Sequence, residues 1–306
     1  MKSDGRYGTG VGIVQDCGMM DETWTILKVL QWTTGFFSRK GIDQPRANAE
    51  VLLAHVLDTE RIQLYLRYDQ PLGSAELARY REAIRRRASC EPTQYITGRQ
   101  EFWSLELEVG PAVLIPRPET EVLVEKALEL LPGTRARVLD IGTGSGAIAV
   151  SLATERKDLT VVATDRSPGA LEIARRNAVR HKVEDRVWLA AMDLFSAFLP
   201  AVPVFDLIVA NPPYIGDFEF AALPREIAEH EPVEALRGGV DGLDVIRKIL
   251  AEAPFFLKPG GSLLIEIGKG QDEMLPLVPD NSRIDTCGFI RDYSGVLRVM
   301  HCRANG

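Results

Sequence analysis

The sequence predicts an α/β fold in which a small all-helical domain precedes a mostly parallel β-sheet. From Asp21 to about Gly98, apolar residues recur at spacings of three and four, which is typical of helices with one buried face. From Arg137 onward, short apolar strands alternate with helices, and this pattern predicts a parallel sheet covered by helices on both faces. A chain of 306 residues is long enough to form both domains.

Local signals place the elements of the helical part. Pro45 suits the first turn of a helix, and Asp43 just upstream is a candidate cap. A later helix begins at Ser74 and ends near the basic run at 85–87, where positive charge complements the helix dipole. Residues 101–115 then alternate apolar and polar side chains, which indicates a β-hairpin or an extended bridge.

These changes of pattern predict four segments along the chain. The segments are a flexible leader at 1–20, a helical domain at 21–98, a β-hairpin linker at 99–118 and the sheet domain at 119–306. The leader is rich in glycine, and Met19 and Met20 are alternative start residues downstream of it. It lacks the basic and then apolar order of a signal peptide.

Seven strands and four helices are predicted in the sheet domain. The strands are expected at 138–141, 160–164, 187–191, 205–210, 262–267, 283–287 and 296–300, and the helices at 119–131, 147–153, 168–180 and 243–257. The run at 258–261, with a proline and two glycines, is expected to close the last helix. Ligands of such sheets bind at the carboxyl ends of the strands, near the point where the strand order reverses.

The composition excludes several classes of protein. Hydrophobic residues make up 45% and charged residues 26%, and no apolar run reaches the roughly 20 residues that a membrane helix needs. The net charge of −7 argues against a scaffold that binds duplex nucleic acid. The cysteines are Cys17, Cys90, Cys287 and Cys302. Because they are scattered, we expect reduced thiols in the cytoplasm, with no disulfide framework and no metal site.

A glycine turn joins the first predicted strand of the sheet domain to a helix. The turn consists of Gly142, Thr143, Gly144, Ser145 and Gly146. Its G-x-G-x-G spacing differs from the G-x-G-x-x-G that seats a pyrophosphate. Asp140 at the strand end would repel a phosphate, whereas a cationic sulfonium with an amino-acid tail would tolerate it. A plain glycine turn after a strand is the alternative for this motif alone.

The next two strand ends carry groups that suit an adenosine. Asp165 can accept both hydroxyls of a ribose, while Asp193 can meet an adenine amino group and Leu194 can cover the ring. For Asp165, a strand-end aspartate that caps the next helix is the alternative, and each of these signals alone is weak. Three successive strand ends with suitable groups nevertheless favour S-adenosylmethionine as the ligand.

The acceptor motif follows the fourth predicted strand and consists of Asn211, Pro212, Pro213 and Tyr214. An amide nitrogen is a poor nucleophile because its lone pair is delocalised into the carbonyl. The Asn211 side-chain oxygen, with a backbone carbonyl at Pro212 or Pro213, could grip both N–H bonds of one NH₂ group. Tyr214 offers a ring face to a planar group. A rigid loop of helix-breaking residues is the alternative.

With these motifs the chain resembles the HemK/PrmC family of protein-(glutamine-N5) methyltransferases. Its two core motifs are fitted by GTGSGAIA at 142–149 and NPPYI at 211–215. Further matches are EFWSLELEV at 101–109, LIPRPETE at 114–121, EPVEALRGGVDGLDVIRKIL at 231–250 and RDYSGVLRVM at 291–300. The resemblance extends from about Asp21 to Cys302 and leaves out residues 1–20.

The resemblance implies a Rossmann-like class I methyltransferase domain that uses S-adenosylmethionine. The implied acceptor is the glutamine of the GGQ motif in class 1 peptide chain release factors, and the helical domain would dock that partner. Around the cofactor it places Gly142 to Gly146, Asp165, Asp193, Leu194 and Asn211, and around the glutamine Asn211 to Tyr214. We further expect a monomer in the cytoplasm, without direct contact to nucleic acid or membrane.

Two other functions remain open from the residues alone. An adenine or guanine amino-methyltransferase shares the NPPY motif and would flip a base onto Tyr214. The acidic balance and the lack of a recognisable basic segment for target recognition argue against it. A cofactor-binding structural protein is the other alternative, although such a protein has no need for the grip of Asn211.

Four polar residues near these motifs have ordinary structural explanations. Arg117, Glu119 and Thr120 precede a helix, where capping and local ion pairs are common, and a role in the active site is the alternative. Glu266 ends the predicted strand at 262–267 and faces the same sheet edge as Asn211, but an acid that caps the following turn explains it equally well.

Overall fold

The computed structural model describes residues 23–198, 202–275 and 283–306. The predicted leader and Cys17 lie outside these residues. Two compact units divide the chain, and the division falls between Ala88 and Ser89. The finer boundaries predicted at 98 and 118 stay predictions. No helix in the described part of the chain is long and apolar enough to cross a membrane.

The first unit, as far as it is described (residues 23–88), contains four helices: α1 (Ile26–Arg39), α2 (Pro45–Val56), α3 (Arg61–Leu66) and α4 (Ser74–Ala88). Pro45 lies in the first turn of α2, as predicted, because its fixed φ fits a helix start and its missing N–H has no partner to lose there. The cap predicted at Asp43 is wrong: Gln44 is the N-cap residue, without a side-chain cap hydrogen bond. In the core of the unit, the Tyr80 hydroxyl donates to the Ala49 carbonyl at 3.0 Å.

The second unit begins with a short helix and a β-hairpin. These elements are α5 (Thr93–Thr97), β1 (Arg99–Phe102) and β2 (Leu105–Glu108). Trp103 and Ser104 form the two-residue turn with φ of 52° and 57°, which is the left-handed geometry that matches the twist of hairpin strands. The predicted hairpin therefore forms, and its register brings Phe102 opposite Leu105.

A seven-stranded sheet forms the centre of the second unit, and this confirms the predicted fold class. Its strands are β3 (Ala136–Ile141), β4 (Leu159–Asp165), β5 (Val187–Ala191), β6 (Phe205–Ala210), β7 (Leu257–Glu266), β8 (Ile284–Arg291) and β9 (Leu297–Ala304). The spatial order is β5-β4-β3-β6-β7-β9-β8. The strands from β5 to β7 are parallel, whereas β9 runs antiparallel to both β7 and β8. The strand order reverses between β3 and β6, so ligands are expected there.

Helices pack against this sheet and bury its central strands. They are α6 (Glu121–Leu130), α7 (Ala147–Glu155), α8 (Pro168–Arg180) and α11 (Asp244–Glu252). Two short helices after β6, α9 (Asp217–Phe220) and α10 (Arg225–Ala228), contain no buried residue. Neighbouring residues of β3 point to opposite faces: Val138 belongs to the apolar cluster with α6 and α7, and Leu139 to the cluster with α11. This burial on both faces explains why the central strands are continuous apolar runs.

The long helix predicted at 243–257 is wrong at its carboxyl end. Helix α11 stops at Glu252, and a 3₁₀ turn at Ala253–Phe255 follows, because Pro254 cannot donate the hydrogen bond that an α-helix would need. The run at 258–261 lies inside β7 instead of closing a helix. A shift in the register between β6 and β7 accommodates it, since Phe205 pairs with Leu257 and Leu207 with Ser262.

The expectation of reduced thiols is wrong for one pair of cysteines. Cys287 and Cys302 are joined by a disulfide, and they lie directly opposite each other in the antiparallel pair β8–β9. Their spacing in the sequence gives no sign of this pairing, which depends on the register of two strands. Cys90 is a free thiol.

Candidate active site

The glycine turn leaves β3 and enters α7 with an exposed backbone. Gly142 and Gly144 have φ of 70° and 56°, and a Cβ added at either position would meet no atom within 4 Å. Side chains are therefore kept away from this stretch of main chain, so that a ligand can approach it. Gly146 has another role: a Cβ there would lie 3.2 Å from the Ala174 Cβ, so the glycine allows α7 and α8 to pack closely.

A buried carboxyl lies beneath the turn. Asp140 is fully buried, its Oδ2 accepts a hydrogen bond from the Thr143 hydroxyl at 2.6 Å, and its Oδ1 has no partner among the described residues. Burial raises the pKa of Asp140 to about 7, because the charged form loses its hydration. The carboxyl fixes Thr143, and its negative form would be stabilised by a cationic ligand above the turn.

Asp165 at the end of β4 holds the turn from the side. Its Oδ2 accepts from the Gly144 N–H at 2.9 Å and its Oδ1 from the Ser167 N–H at 2.8 Å. A carboxylate has about four lone-pair positions, so two remain for hydroxyl groups of a ligand. The predicted ribose partner therefore also orders the backbone that the cofactor would contact.

Asn177 on α8 is a residue that the sequence analysis missed. It is fully buried, and its Nδ2 donates to the Ser145 carbonyl at 2.8 Å and to the Glu108 carbonyl at 3.0 Å. Its Oδ1 accepts from the Glu108 N–H at 2.7 Å. One side chain thus ties β2 to the glycine turn. An asparagine in the middle of a helix, where its propensity is poor, was the only signal in the sequence.

A cavity of about 480 Å³ opens at the carboxyl ends of β3, β4 and β6. Most of the predicted site residues line it: Gly142, Thr143, Gly144, Ser145, Asp165, Asp193, Leu194, Asn211, Pro212 and Pro213. Gly146 and Tyr214 do not line it. Leu194 has a φ of 48°, a conformation that costs a branched residue energy and tends to persist at ligand sites. The volume is in the usual range for a site that binds a small molecule.

The acceptor motif places one side chain and one carbonyl at the cavity. The Asn211 Nδ2 donates to the Thr120 hydroxyl at 3.1 Å, and no described residue donates to the Asn211 Oδ1. The Pro213 carbonyl is packed against Gly238, where an added Cβ would lie 2.6 Å from that oxygen. Of the two carbonyls considered from the sequence, that of Pro212 is therefore the one that can accept an N–H of the substrate amide.

Tyr214 is held from behind the cavity wall at both its backbone and its side chain. Its carbonyl accepts from the Gln271 Nε2 at 2.9 Å, and a Cβ at Gly242 would lie 2.2 Å from the same oxygen. Its hydroxyl donates to Glu266 Oε1 at 3.4 Å, and burial raises its pKa. The ring face predicted for a planar acceptor is thus fixed by residues distant in the sequence.

A buried ion pair fixes the segment that leads to the acceptor site. Glu231 accepts from the Ile115 N–H at 3.1 Å and forms a salt bridge with Arg117. The local ion pair expected for Arg117 is therefore wrong, since Glu231 is 114 residues away. The neighbouring residues Pro116 and Pro232 line the cavity. This pair joins two of the sequence stretches that carried the family resemblance.

Comparison with known proteins decides the family. Residues 28–98 match the model of the PrmC N-terminal domain, and residues 118–229 match that of the methyltransferase small domain. A release factor glutamine methyltransferase from Geobacter sulfurreducens is 46% identical over 279 residues, which cover 91% of this chain and 96% of the relative. The chain belongs to the release factor glutamine methyltransferase family. This membership confirms the family predicted from the sequence.

The family extends to a human relative and shares its fold with more distant enzymes. The human MTRF1L release factor glutamine methyltransferase is 38% identical over 298 residues, covering 91% of this chain and 87% of the relative. Among solved structures, the hMettl16 catalytic domain in complex with an RNA hairpin matches with a TM-score of 0.51 at 15% identity. The match covers 73% of this chain and 82% of that one, and it shows the shared fold alone.

Proposed function

We propose that this protein transfers a methyl group from S-adenosylmethionine to the side-chain amide nitrogen of the glutamine in the GGQ motif of class 1 peptide chain release factors. The orientation of Asn211 carries the proposal. Its amide nitrogen is engaged by Thr120, so its oxygen is free to accept from an NH₂ group in the cavity. Membership in the release factor glutamine methyltransferase family supports the identity of the acceptor.

The glycine turn and the two strand ends beside it fit the cofactor. Gly142 and Gly144 leave room for the amino-acid tail against the backbone, and the buried Asp140 supplies negative charge beneath it. Asp165 keeps two lone-pair positions for the ribose hydroxyls, and Asp193 and Leu194 line the cavity for the adenine. When bound, S-adenosylmethionine supplies an electrophilic methyl group.

The acceptor amide is positioned by a pair of oxygens. Asn211 Oδ1 and the Pro212 carbonyl each accept one N–H of the glutamine, and Tyr214 supports this grip from behind the cavity lining. Two acceptors stabilise the positive charge that grows on nitrogen as the new C–N bond forms and the C–S bond breaks. This grip would hold the nitrogen facing the methyl group of the cofactor, and such positioning can supply about 7–11 kcal/mol of the barrier.

No residue needs to act as a strong base. The nitrogen becomes acidic once it carries the methyl group, so its extra proton leaves to water after transfer, and the products are N5-methylglutamine and S-adenosylhomocysteine. The proposal includes a monomeric enzyme in the cytoplasm that makes no direct contact with nucleic acid. It also includes docking of the release factor on the helical domain at 21–98.

Transfer of a labelled methyl group tests the function directly. The enzyme is incubated with labelled S-adenosylmethionine and either a class 1 release factor or its variant with alanine in place of the GGQ glutamine. We expect label on the native factor alone, located by peptide mass spectrometry on that glutamine. Label on duplex DNA or ribosomal RNA, with none on the release factor, would instead assign the enzyme to the base amino-methyltransferases.

A further inference from the structure

A buried acid lies behind the acceptor side of the cavity. Glu266 ends β7 beside Asn211 at the end of β6, and it is 1% exposed. It does not line the cavity. Its Oε2 has no hydrogen-bond partner in the described part of the chain. Burial of an acid without a full set of partners is costly, so we looked to the neighbouring acceptor motif for its function.

Two residues of the acceptor site meet this carboxyl. The Tyr214 hydroxyl donates to Glu266 Oε1 at 3.4 Å. The Thr120 hydroxyl is near enough to the same carboxyl to lower its pKa. Thr120 in turn accepts from the Asn211 Nδ2 at 3.1 Å. Glu266 is therefore one step removed from both side chains that the proposed function assigns to the glutamine.

The chemistry of these groups sets the direction of each hydrogen bond. An ionised carboxylate only accepts, so in a hydrogen bond between the two the Thr120 hydroxyl is the donor. The Thr120 oxygen is then an acceptor for its other neighbour, which must be the NH₂ side of the Asn211 amide. The Asn211 oxygen is consequently turned toward the cavity. Without such a partner, the amide could equally present its nitrogen, which cannot hold an N–H donor.

We propose that Glu266 is a positioning residue for methyl transfer, which through Thr120 keeps the Asn211 oxygen facing the acceptor and through the Tyr214 hydroxyl keeps the ring in place. The inference rests on the proposed function, because it takes an N–H donor as the ligand of Asn211. Neither Glu266 nor Thr120 touches the reacting atoms in this scheme: Thr120 acts on Asn211, and Glu266 acts on Thr120.

The groups around Glu266 make this arrangement dependent on pH. Burial raises the pKa of Glu266 to about 7; Arg298 on β9 opposes this shift, and Glu119 beside Thr120 adds to it. Tyr214 faces the carboxyl from the loop after β6, and Arg117 acts on Tyr214. Below pH 7 the carboxyl is protonated and can donate to Thr120, whose own hydrogen is then free to turn toward Asn211. We therefore expect methyl transfer to rise as pH increases through about 7.

The test compares single-turnover methyl transfer to a release factor across pH 5.5–8.5 in matched variants, with acceptor and cofactor saturating. The variants are Glu266→Gln, Thr120→Val and Thr120→Ser, and Glu184→Gln is the control at an exposed site between α8 and β5. We expect Thr120→Val to slow transfer by about 10–100-fold, as loss of one positioned partner does elsewhere, while cofactor affinity changes by less than about threefold. Thr120→Ser keeps the hydroxyl and should restore most of the rate.

The pH profile of Glu266→Gln decides between a positioning and a merely structural role. We expect the rise near pH 7 to disappear in this variant and to persist in Glu184→Gln. A Glu266→Gln enzyme that keeps the wild-type profile, or equal rates for Thr120→Val and Thr120→Ser, would overturn the inference. If Glu266→Gln does not fold, as judged by its melting curve, the pH profiles of the Thr120 pair decide: the rise near pH 7 should be lost in Thr120→Val and kept in Thr120→Ser. Absence of methyl transfer by the wild-type enzyme would refute the proposed function itself, which separates the two failures.

Discussion

The two halves of the cavity are held in place in different ways. On the cofactor side, the turn at 142–146 is fixed mainly by its own backbone and by one neighbouring strand end, through bonds from Thr143 to Thr164 and from Gly144 to Asp165. On the acceptor side, Asn211 and Tyr214 depend on side chains from distant segments. Asn177 adds a bond to Ser145, so the partners of the turn come from residues 140–177, whereas the acceptor side depends on segments as far apart as Thr120 and Gln271.

This difference predicts that the two sides can be damaged separately. Asn211→Ala should lower the rate of methyl transfer by about 10²–10³-fold, because the variant loses an acceptor that aligns the nitrogen and stabilises its developing charge. Its affinity for S-adenosylhomocysteine should stay within about tenfold of the wild-type value, since the glycine turn and Asp165 are unchanged. Single-turnover assays and calorimetric titrations measure the two quantities.

Asp165→Ala is the matched variant on the other side. It should mainly weaken cofactor binding, because the ribose loses its acceptor and the Gly144 N–H loses its partner. With saturating cofactor its rate should recover toward that of the wild type. If Asn211→Ala weakened cofactor binding as much as Asp165→Ala does, the division of the cavity into two independent sides would be wrong.

Two glycine variants, one on each side of the cavity, test this difference through the free energy of unfolding. Both Gly144 and Gly242 have positive φ, so alanine at either position costs roughly 1–2 kcal/mol in backbone strain. At Gly144 nothing else is in the way, but at Gly242 the new Cβ would lie 2.2 Å from the Tyr214 carbonyl oxygen. We expect Gly242→Ala to lower the free energy of unfolding by about 1–3 kcal/mol more than Gly144→Ala, as overpacking does in other cores.

Chemical denaturation of both variants checks this order. Gly144→Ala should instead show its effect in cofactor affinity, because its methyl group would project where a ligand approaches the turn. Equal losses of stability in the two variants would mean that the loop containing Gly242 can move away from Tyr214, and that the acceptor side is less rigid than the structure indicates.

The same contrast explains which parts of the site could be predicted from the sequence. The glycine turn, the strand-end acids and the NPPY motif are short and contiguous, so their residues and their places at strand ends could be recognised. Thr120, Asn177 and Gln271 were missed or underrated, because each acts on a segment that is distant in the sequence. The disulfide between Cys287 and Cys302 was missed for a related reason: only the register of β8 and β9 brings the two cysteines together.

The wrong end predicted for the helix at 243–257 also results from contacts between segments that are distant in the sequence. The helix expected at 243–257 followed an apolar period that continues past Glu252, but Pro254 and the sheet partner of Leu257 end it. A strand with two glycines, as in β7, looks like a turn in the sequence. Its pairing with β6 supplies the backbone hydrogen bonds that local propensity does not favour.

The last predictions concern the raised pKa of Asp140. Burial raises its pKa from the ordinary 3.8 to about 7. Between these two pH values the folded protein therefore keeps a proton on Asp140 that the unfolded chain has released. The resulting stabilisation is complete below about pH 3.8 and is lost as pH rises through about 7. Asp140→Asn removes this pH-dependent contribution to the free energy of unfolding. Relative to the wild type, the variant should therefore gain stability, by about 2–3 kcal/mol, as pH rises from 5 to 8.

Cofactor binding should reverse the shift at this residue. The ammonium and sulfonium groups bring positive charge above the turn, which favours the ionised carboxyl and lowers the pKa of Asp140. Near pH 6.5 we expect binding of S-adenosylmethionine to release part of a proton, measured by calorimetry in buffers of different ionisation enthalpy. Asp140→Asn should lose that release, whereas Glu266→Gln should keep it because Asp140 is bonded to Thr143 of the glycine turn and Glu266 to Tyr214 of the acceptor motif. If proton release depended on Glu266 instead, the charge of the cofactor would lower the pKa of a residue on the acceptor side. The two sides of the cavity would then be electrostatically coupled.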